Sequence, residues 1–450
     1  MEKSDDINIA EKIAECVSQI GGACYFVGGY VRDKLMGNPG KDIDIEVHGV
    51  TPSELETILN SIGTRIETGK SFGVYNLKGY SIDIAMPRKE RCTGRGHRDF
   101  KVYIDPFLGT EKASIRRDFT INAIMENVLT GEIIDHYGGE RDLKEKTIRH
   151  INSDTFIEDP LRVLRGAQFA ARFEFTVACE TVELCKTMNL ENLASERIFE
   201  EMKKALLKSE KPSVFFETLR EMDALYVWFA ELFSLIGIEQ NKQHHKEGDA
   251  WNHTMMVLDA AAKRKSSVTN PMGFMLAALC HDFGKAICTE EVNGVIHSYE
   301  HETLGLPLVE KFLKRITTDK KLIKYVLNMT ALHMRPNMLY AQSSKIKATN
   351  RMFDEAVSPY DLIQLAMSDN LGKIPREADG NTERFLLERL DIFKEYMSRD
   401  YVTGRDLIEM GLNEGAKFSE ILQFAHKMRI AGVKKENVIK QIKAEYKKEV

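Results

Sequence analysis

Short runs of alternating apolar and polar residues fill the first third of the chain and predict a β-sheet. Between residues 22 and 135 these runs are rich in β-branched and aromatic side chains, and several of them end in glycine. The runs are ACYFVGG, KDIDIEVHG, SFGVYNLKGY, YSIDIAM, FKVYID and GEIIDHY. An amphipathic helical pattern, MEKSDDINIAEKIAECV, precedes them, so this part of the chain is expected to be α/β.

The pattern changes after about Ile151 to the longer period of helices, with few glycines. We therefore predict an α+β fold in which the part after Ile151 is nearly all helix. A polar stretch at 237–251 and a charged stretch at 370–383 with proline and glycine mark two of the predicted boundaries. The predicted domains are a head (1–150), a helical neck (151–240), a third domain (241–385) and a helical tail (386–450).

The composition adds limits on location. The chain has 450 residues, and its 63 lysines and arginines against 68 aspartates and glutamates give a net charge of −5. The most apolar stretch, 225–238, is interrupted by Glu231 and is shorter than a membrane helix, which needs about 20 apolar residues. The start of the chain carries acids where an export signal carries bases, and the seven cysteines include no CxxC pair. These features predict a cytoplasmic protein with no membrane span and no zinc ribbon.

The end of the chain is basic, whereas the chain as a whole has a slight excess of acidic residues. From Lys427 onward there are eight basic residues against three acids. This pattern fits either a solvated helical face or a local contact with phosphates. We expect the tail to contact nucleic acid if the rest of the chain acts on it.

Two aspartates follow a glycine turn in the predicted head. The segment from Tyr25 to Asp33 reads as a strand, a turn at Gly28 and Gly29, and the start of a helix, where backbone N–H groups can approach an anion. Nine residues later, the period of two along a strand places Asp42 and Asp44 on one face. Paired carboxylates beside such a turn are suited to nucleotidyl transfer with Mg²⁺.

GGYVRD followed by KDIDIEV resembles the signature of the nucleotidyltransferase superfamily, in the branch of class II tRNA nucleotidyltransferases and bacterial poly(A) polymerases. The resemblance implies a head with a mixed sheet, in which Asp42 and Asp44 bind the catalytic Mg²⁺. Asp83, on a predicted neighbouring strand, is left open as a third carboxylate. The resemblance also implies a nucleotide-binding role for three residues of the turn: Gly28, Gly29 and Arg32.

Arg116 to Ala123, RRDFTINA, groups arginines and an amide where they could hold a triphosphate, and we expect a helix to begin there. The segment is similar to the family's RRDxTxNA motif, which contacts the sugar and phosphates of the nucleotide. The residues that match are Arg117, Asp118 and Asn122. Residues 94–114 resemble the flexible loop that helps such enzymes change from adding C to adding A.

Glu158 to Arg165, EDPLRVLR, begins another predicted helix, with Asp159 as its cap and Pro160 as its first residue. Asp159, Arg162 and Arg165 share one face of that helix. Capping alone would explain Asp159. The resemblance implies that Asp159 and Arg162 select C and A through hydrogen bonds to the edge of the incoming base. SERIFE, which contains Arg197, resembles a later supporting helix of the family.

Seven of the twelve histidines fall within 90 residues. They are His244, His245, His253, His281, His297, His301 and His333. An adjacent His–Asp pair in HDFGK, with a distant histidine and aspartate, offers the mixed nitrogen and oxygen ligands of a divalent metal site. We therefore expect a second site in this part of the chain.

The segment resembles the HD phosphohydrolase family. The resemblance implies metal ligands at His253, His281, Asp282 and Asp369, with His281 and Asp282 in the catalytic centre. His301 and His333 are candidates for a phosphate or a second metal, and His297 is the alternative to His301. The metal is expected to be Ni²⁺, Mn²⁺, Co²⁺ or Mg²⁺, and the implied activity is phosphodiesterase action on 2′,3′-cyclic phosphates, with phosphatase action as an open addition.

The order of head, neck, HD domain and tail resembles the HD-containing bacterial CCA-adding enzymes. It implies a tRNA nucleotidyltransferase that uses CTP and ATP on the tRNA 3′ end, as a monomer or a homodimer. Alternatives within this class are a poly(A) polymerase, or an enzyme that adds only A or only CC. An alternative of another class is an HD phosphohydrolase whose head only binds RNA.

Overall fold

A computed structural model describes residues 3–38, 40, 42–66, 74–92, 100–243, 245–374, 380–412 and 415–446. The chain divides into two compact units. The first comprises residues 1–205 and 214–228, and the second comprises residues 206–213 and 229–450. The finer division into four domains stays a prediction.

The first unit is built on a mixed sheet. Its strands are β1 (Ala23–Val27), β2 (Ile43–His48), β3 (Arg65–Ile66), β4 (Val74–Leu77), β5 (Ile82–Ala85), β6 (Arg88–Cys92), β7 (Phe100–Ile104), β8 (Met125–Asn127), β9 (Ile133–Ile134), β10 (Thr147–Ile148) and β11 (Thr176–Val177). Seven of them form one sheet in the order β3-β4-β5-β2-β1-β8-β9. Within it β2 and β5 run parallel, while β1 pairs antiparallel with both β2 and β8.

Helices cover this sheet and continue the unit. They are α1 (Lys3–Gln19), α2 (Gly29–Leu35), α3 (Pro52–Ile62), α4 (Thr110–Ser114), α5 (Gly139–Lys144), α6 (Ser153–Phe156), α7 (Leu161–Phe173), α8 (Cys179–Lys186), α9 (Ser195–Lys208), α10 (Ser213–Glu221) and α11 (Leu225–Phe233). The ends of α9 and α11, residues 206–208 and 229–233, belong to the second unit. The core joins apolar residues of α1 and α3, such as Ile13 and Leu59, to Ile43 and Ile45 of β2. The other face of β2 is thereby left to its polar residues.

The second unit is mainly helical. Its helices are α12 (Ala250–Ala262), α13 (Pro271–Cys280), α14 (Lys285–Cys288), α15 (His301–Leu304), α16 (Leu306–Ile316), α17 (Lys320–Leu332), α18 (Arg335–Ala341), α19 (Ile346–Glu355), α20 (Pro359–Leu371), α21 (Gly380–Ser398), α22 (Gly404–Glu409), α23 (Ala416–Ile430) and α24 (Lys435–Tyr446). Helices α12, α13, α17 and α20 pack on one another, and α22 to α24 enclose a small core of their own around Leu407 and Val438.

The structure corrects two predictions of local structure. The segment from Arg116 to Ala123 does not begin an α-helix, because Phe119 is extended and only a short 3₁₀ turn, Thr120–Asn122, follows it. The part after Ile151 also contains strands: β11, which pairs with β10, and a hairpin formed by β12 (Thr289–Val292) and β13 (Val295–Ser298). Asn293 and Gly294 form the hairpin turn with positive φ angles of 53° and 76°, which that residue pair favours.

The described residues also answer the question of a membrane span. Among them, no helix is both long and apolar enough to cross a bilayer. The location of the protein in the cell stays a prediction.

Candidate active sites

The predicted pair of aspartates lies at the centre of the mixed sheet, together with a third carboxylate. Asp42 directly precedes β2, and Asp44 lies on it. On the parallel neighbour β5, Asp83 is in register with Asp44. Asn76 of β4 donates a hydrogen bond to Asp83 and so fixes the direction of this third carboxylate. The register of β2 and β5 therefore places carboxylates on adjacent strands.

The charge balance at this point favours a cation. The pKa of Asp44 is raised by burial first and then by the negative charges of Asp83 and Asp42, while the charge of Arg117 opposes the rise. A divalent cation would relieve the repulsion, and carboxylate oxygens are the ligands that Mg²⁺ prefers. Asp42 and Asp83 are exposed, so an ion can enter from solvent. The donor set fits Mg²⁺.

The glycine turn lies directly against these groups. Gly28 has a φ angle of 67°, which side-chain-bearing residues rarely adopt. A Cβ atom at Gly28 would lie 3.3 Å from Nη1 of Arg117 and 3.7 Å from Oδ2 of Asp44. The structure thus brings the turn, the arginine and the metal-type carboxylate together, although they are separated along the chain.

Four other predicted nucleotide residues form one hydrogen-bonded network. Arg32 donates from Nη1 to Oδ1 of Asn122 at 2.6 Å, and Asn122 donates to Oδ1 of Asp118 at 2.9 Å. Arg165 of α7 donates from Nε to Oδ2 of Asp118 at 2.7 Å. Burial alone would raise the pKa of Asp118, but the charge of Arg165 and the bond from Asn122 hold it below its usual range. These residues brace the turn against α7.

The two residues expected to select the base are held by other parts of the first unit. Asp159 accepts a bond from the Leu161 N–H at 3.1 Å and another from Nη2 of Arg197 at 2.9 Å. The predicted cap at Asp159 and first helical residue at Pro160 are both one position too early, because α7 begins at Leu161 with Pro160 in the N-cap position and no side-chain capping bond. Arg162 donates to the carbonyl oxygens of Thr155 and Arg116, both at 2.7 Å.

The second predicted site is a buried cluster in the helical unit. His253 of α12 is its centre: its Nε2 lies 3.4 Å from Nε2 of His281 and 3.1 Å from Oδ1 of Asp369 on α20. Oδ2 of Asp282 lies 3.2 Å from Nε2 of His281 and 3.5 Å from Nε2 of His253. These four residues are at most 3% exposed.

Asp282 also faces a second pair of histidines with its other oxygen. Oδ1 lies 3.2 Å from Nε2 of His301 and 3.9 Å from Nε2 of His333. The two imidazoles are 3.2 Å apart at their Nε2 atoms. Asp282 therefore bridges two groups of donors, one with His253, His281 and Asp369 and one with His301 and His333.

The spacing of these donors fits divalent metal ions. Ligands at about 2.1 Å from one ion lie about 3.0 to 3.4 Å from their neighbours in octahedral or tetrahedral geometry, which is close to the distances above. Oδ2 of Asp282 is buried and makes no hydrogen bond of ordinary geometry to a described residue, although the Lys285 ammonium lies 2.6 Å away. Burial would raise the pKa values of Asp282 and Asp369, but nearby imidazoles and lysines hold both well below their usual range.

Backbone packing explains why His301 comes so near to the His–Asp pair. A Cβ atom at Gly284 would lie 2.0 Å from the carbonyl oxygen of His301, so α15 can approach only because residue 284 is glycine. A cavity of about 320 Å³ opens onto the cluster. His297 of β13 and His301 both line this cavity, but His301 is the one whose Nε2 lies 3.2 Å from Oδ1 of Asp282.

Comparisons with known proteins show which family the chain resembles. Residues 24–149 match the family described as "Poly A polymerase head domain", and residues 174–235 match "Probable RNA and SrmB- binding site of polymerase A". The "Multifunctional CCA protein" of Pasteurella multocida is 34% identical over 423 residues, which cover 91% of this chain and 96% of the relative. That of Actinobacillus pleuropneumoniae is 38% identical over 316 residues, covering 69% and 74%. The chain belongs to the multifunctional CCA protein family.

Solved structures show the same fold. The Bacillus stearothermophilus CCA-adding enzyme in complex with CTP aligns over 100% of both chains with a TM-score of 0.66 and 20% identity. The Thermotoga maritima CCA-adding enzyme complexed with tRNA aligns over 99% of this chain and 98% of that one, with a TM-score of 0.65 and 20% identity. The predicted α+β class and the predicted class II tRNA nucleotidyltransferase family are thereby confirmed.

Some predictions fall on parts of the chain that the structure does not describe. His244, Lys447 and Lys448 lie outside the described residues, as do positions 94–99 of the predicted flexible loop and positions 375–379 of the predicted boundary before the tail. The roles given to individual residues of this family member stay predictions.

Sequence reasoning missed Glu46, which lies two residues after Asp44 on the same face of β2. Glu46 is 1% exposed, and its Oε2 lies 3.4 Å from Nη2 of both Arg116 and Arg117, while His48 contacts Oε1 at 2.9 Å. Burial alone would raise the pKa of Glu46, but the bond from His48 and the arginine charges lower it to about 2. The alternation Asp42, Asp44, Glu46 was the signal that could have found it.

We expect Glu46→Gln to raise the KM for both CTP and ATP about tenfold, with a smaller effect on kcat. An amide removes the charge that holds Arg117 beside Gly28, and a charge-assisted hydrogen bond contributes about 1.5–3 kcal/mol. Steady-state nucleotide addition measures both parameters. Glu132→Gln, at an exposed position of the same unit, is the matched control, and an unchanged KM in the Glu46 variant would contradict the role.

Proposed function

We propose that the chain adds or repairs the 3′-terminal CCA of tRNA with CTP and ATP, and that its HD cluster hydrolyses 2′,3′-cyclic phosphates. The observation that carries the first part is the register of Asp44 with Asp83 beside Gly28 and Arg117. Membership of the multifunctional CCA protein family supports it, and relatives of this fold are CCA-adding enzymes complexed with CTP and with tRNA. Incorporation of CMP and AMP into tRNA that lacks its 3′ end is the test.

Different residues of the head have different roles in nucleotidyl transfer. Mg²⁺ held by Asp42 and Asp44 would lower the pKa of the tRNA 3′ hydroxyl and neutralise charge on the triphosphate as pyrophosphate leaves. Asp83, in register with Asp44, would contribute to the same cation site. Arg117 supplies a fixed positive charge beside the Gly28 turn, where the backbone can approach a phosphate. Catalysis then consists of positioning and charge neutralisation.

Asp159 and Arg162 are proposed to select the base, in place of a nucleic-acid template. Arginine offers donors and aspartate offers acceptors, which together match the mixed edges of cytosine and adenine. Arg197 holds Asp159, and two backbone carbonyls hold Arg162, so both side chains have fixed positions in the first unit. A bound base would exchange some of these bonds for bonds to its own edge.

Arg162→Ala should lower the preference for CTP and ATP over GTP and UTP by about tenfold or more, because a bidentate contact to a base contributes about 1–3 kcal/mol of discrimination. The measurement is the ratio of kcat/KM values for the four nucleotides on one tRNA. The affinity for tRNA should change less. Arg141→Ala, at a largely exposed side chain in the same unit, is the control, and an unchanged ratio would leave Arg162 with a structural role only.

The HD proposal rests on the bridging position of Asp282 between two groups of metal-type donors. A transition metal such as Ni²⁺, Mn²⁺ or Co²⁺, or Mg²⁺, would supply a bound water of lowered pKa as the nucleophile. Lys285 and Lys373 line the cavity and offer positive charge to the phosphate. Hydrolysis of 2′,3′-cyclic AMP, lost with EDTA and restored by one of these metals, is the test, and phosphatase action on the product is a separate assay.

A further inference from the structure

The four histidines of the HD cluster differ in what holds the ring nitrogen that faces away from the cluster. Nδ1 of His281, His301 and His333 each lies within 2.9 Å of the carbonyl oxygen three residues earlier, on Ala278, Ser298 and Thr330 respectively. A carbonyl can only accept, so in these rings Nδ1 carries the proton and Nε2 has a free lone pair.

His253 instead faces a carboxylate. Its Nδ1 lies 3.1 Å from Oε1 of Glu247, and the carbonyl oxygen of Gly372 is a more distant neighbour at 3.3 Å. Among the described residues, Glu247 is the only side-chain carboxylate within hydrogen-bond distance of the outward-facing ring nitrogen of any of these four histidines. A carboxylate fixes the tautomer as a carbonyl does, and its charge also makes the opposite nitrogen more basic.

Glu247 is itself rigidly held. Its side chain is fully buried, and its Oε2 accepts a bond from the Ile374 N–H at 2.9 Å. His245 contacts the same Oε1 through its Nδ1 at 2.6 Å and lines the cavity. The carboxylate therefore has partners at both oxygens, and its direction toward His253 is fixed from several sides.

We propose that Glu247 is a positioning residue that orients His253 as a metal ligand and increases its affinity for the ion. The inference rests on the proposed HD function, because it assumes that Nε2 of His253 binds metal. The sequence pattern gives no sign of this role, since Glu247 lies in the polar stretch at 237–251, which predicts a domain boundary. The proposed role concerns the donor group of His253, His281 and Asp369 rather than the pair of His301 and His333.

The test is a Co²⁺ titration of the metal-stripped full chain, followed by the visible absorption of the bound ion and by calorimetry. Glu247→Gln should raise the Kd of one binding event about 10- to 100-fold, as is typical when the partner of a ligating histidine is lost. The amide has one acceptor oxygen for both His253 and the Ile374 N–H. Glu302→Gln is the matched control, because Glu302 lies 3.7 Å from Nδ1 of His301, beyond hydrogen-bond distance, and its Kd should equal that of the wild type.

The possible outcomes distinguish the positioning role of Glu247 from the HD function on which it rests. A wild-type Kd and absorption spectrum in a folded Glu247→Gln protein would overturn the positioning role while leaving the HD proposal intact. Absence of Co²⁺ binding to the wild-type chain would overturn both. If the glutamine variant does not fold, Glu247→Asp keeps the charge but shortens the reach, and it should show an intermediate Kd; a wild-type Kd there would also contradict the role.

Discussion

Asp44→Asn is expected to lower kcat for nucleotide addition by about 10³-fold or more, because a metal ion contributes several kcal/mol to charge stabilisation and about 4 kcal/mol corresponds to this factor. Asp44 is the partly buried member of the carboxylate group, and burial first and then repulsion from Asp83 and Asp42 raise its pKa. An asparagine removes one anionic ligand at the point where the cation is most needed. Single-turnover addition of CMP to tRNA measures the loss.

The control for Asp44 is chosen to separate chemistry from folding. Asp5→Asn changes an exposed aspartate on α1 in the same unit and should leave addition unchanged. Hydrolysis of 2′,3′-cyclic AMP by the Asp44 variant should also remain at the wild-type level, because the HD cluster lies in the other unit. Addition within tenfold of the wild type would show that Asp44 does not bind the catalytic metal.

Asp282→Asn is expected to abolish cyclic-phosphate hydrolysis, again by about 10³-fold or more, since it removes an anionic ligand from both donor groups at once. The variant should bind fewer Co²⁺ ions and should keep nucleotide addition within about twofold, a difference of less than about 0.5 kcal/mol in the barrier. Initial rates on 2′,3′-cyclic AMP and on tRNA, measured with one preparation, compare the two activities.

A matched change tests the specificity of this effect. Asp391→Asn alters an aspartate of α21 whose side chain is 78% exposed, and both activities should persist. If Asp282→Asn removes both activities in a folded protein, the two-site account is wrong. If it removes neither, the HD cluster is structural.

The local part of each site was predictable because it depends on short spacing. The alternation along β2 placed Asp42 and Asp44 on one face, and HDFGK supplied an adjacent ligand pair. In contrast, the helix predicted from Arg116 is wrong because the side chain of Asp118 bonds the Phe119 N–H and Asn122 instead of leaving the backbone to a helix. The hairpin at Asn293 and Gly294 has a recognisable turn sequence, but the helical pattern of the surrounding residues predicted helix there.

The other features of the two sites depend on contacts between elements that are far apart in the sequence. His297 is an alternative to His301 in the sequence, and the close approach of α15 at Gly284 places His301 beside Asp282. The alternation along β2 marks Glu46 but not its partner, and Glu247 has no motif of its own. The contacts of these two residues with Arg117 and His253 depend on how separate elements pack. A linear pattern records spacing along the chain but not which partner a buried carboxylate meets.

The most direct test of the central claim is nucleotide incorporation into tRNA that lacks its 3′-terminal CCA, with CTP alone, ATP alone and both together. The account predicts addition of two C residues with CTP, nothing with ATP alone, and the complete CCA with both. Absence of incorporation in all three mixtures would contradict a transferase, and a long run of A residues with ATP alone would indicate a poly(A) polymerase instead.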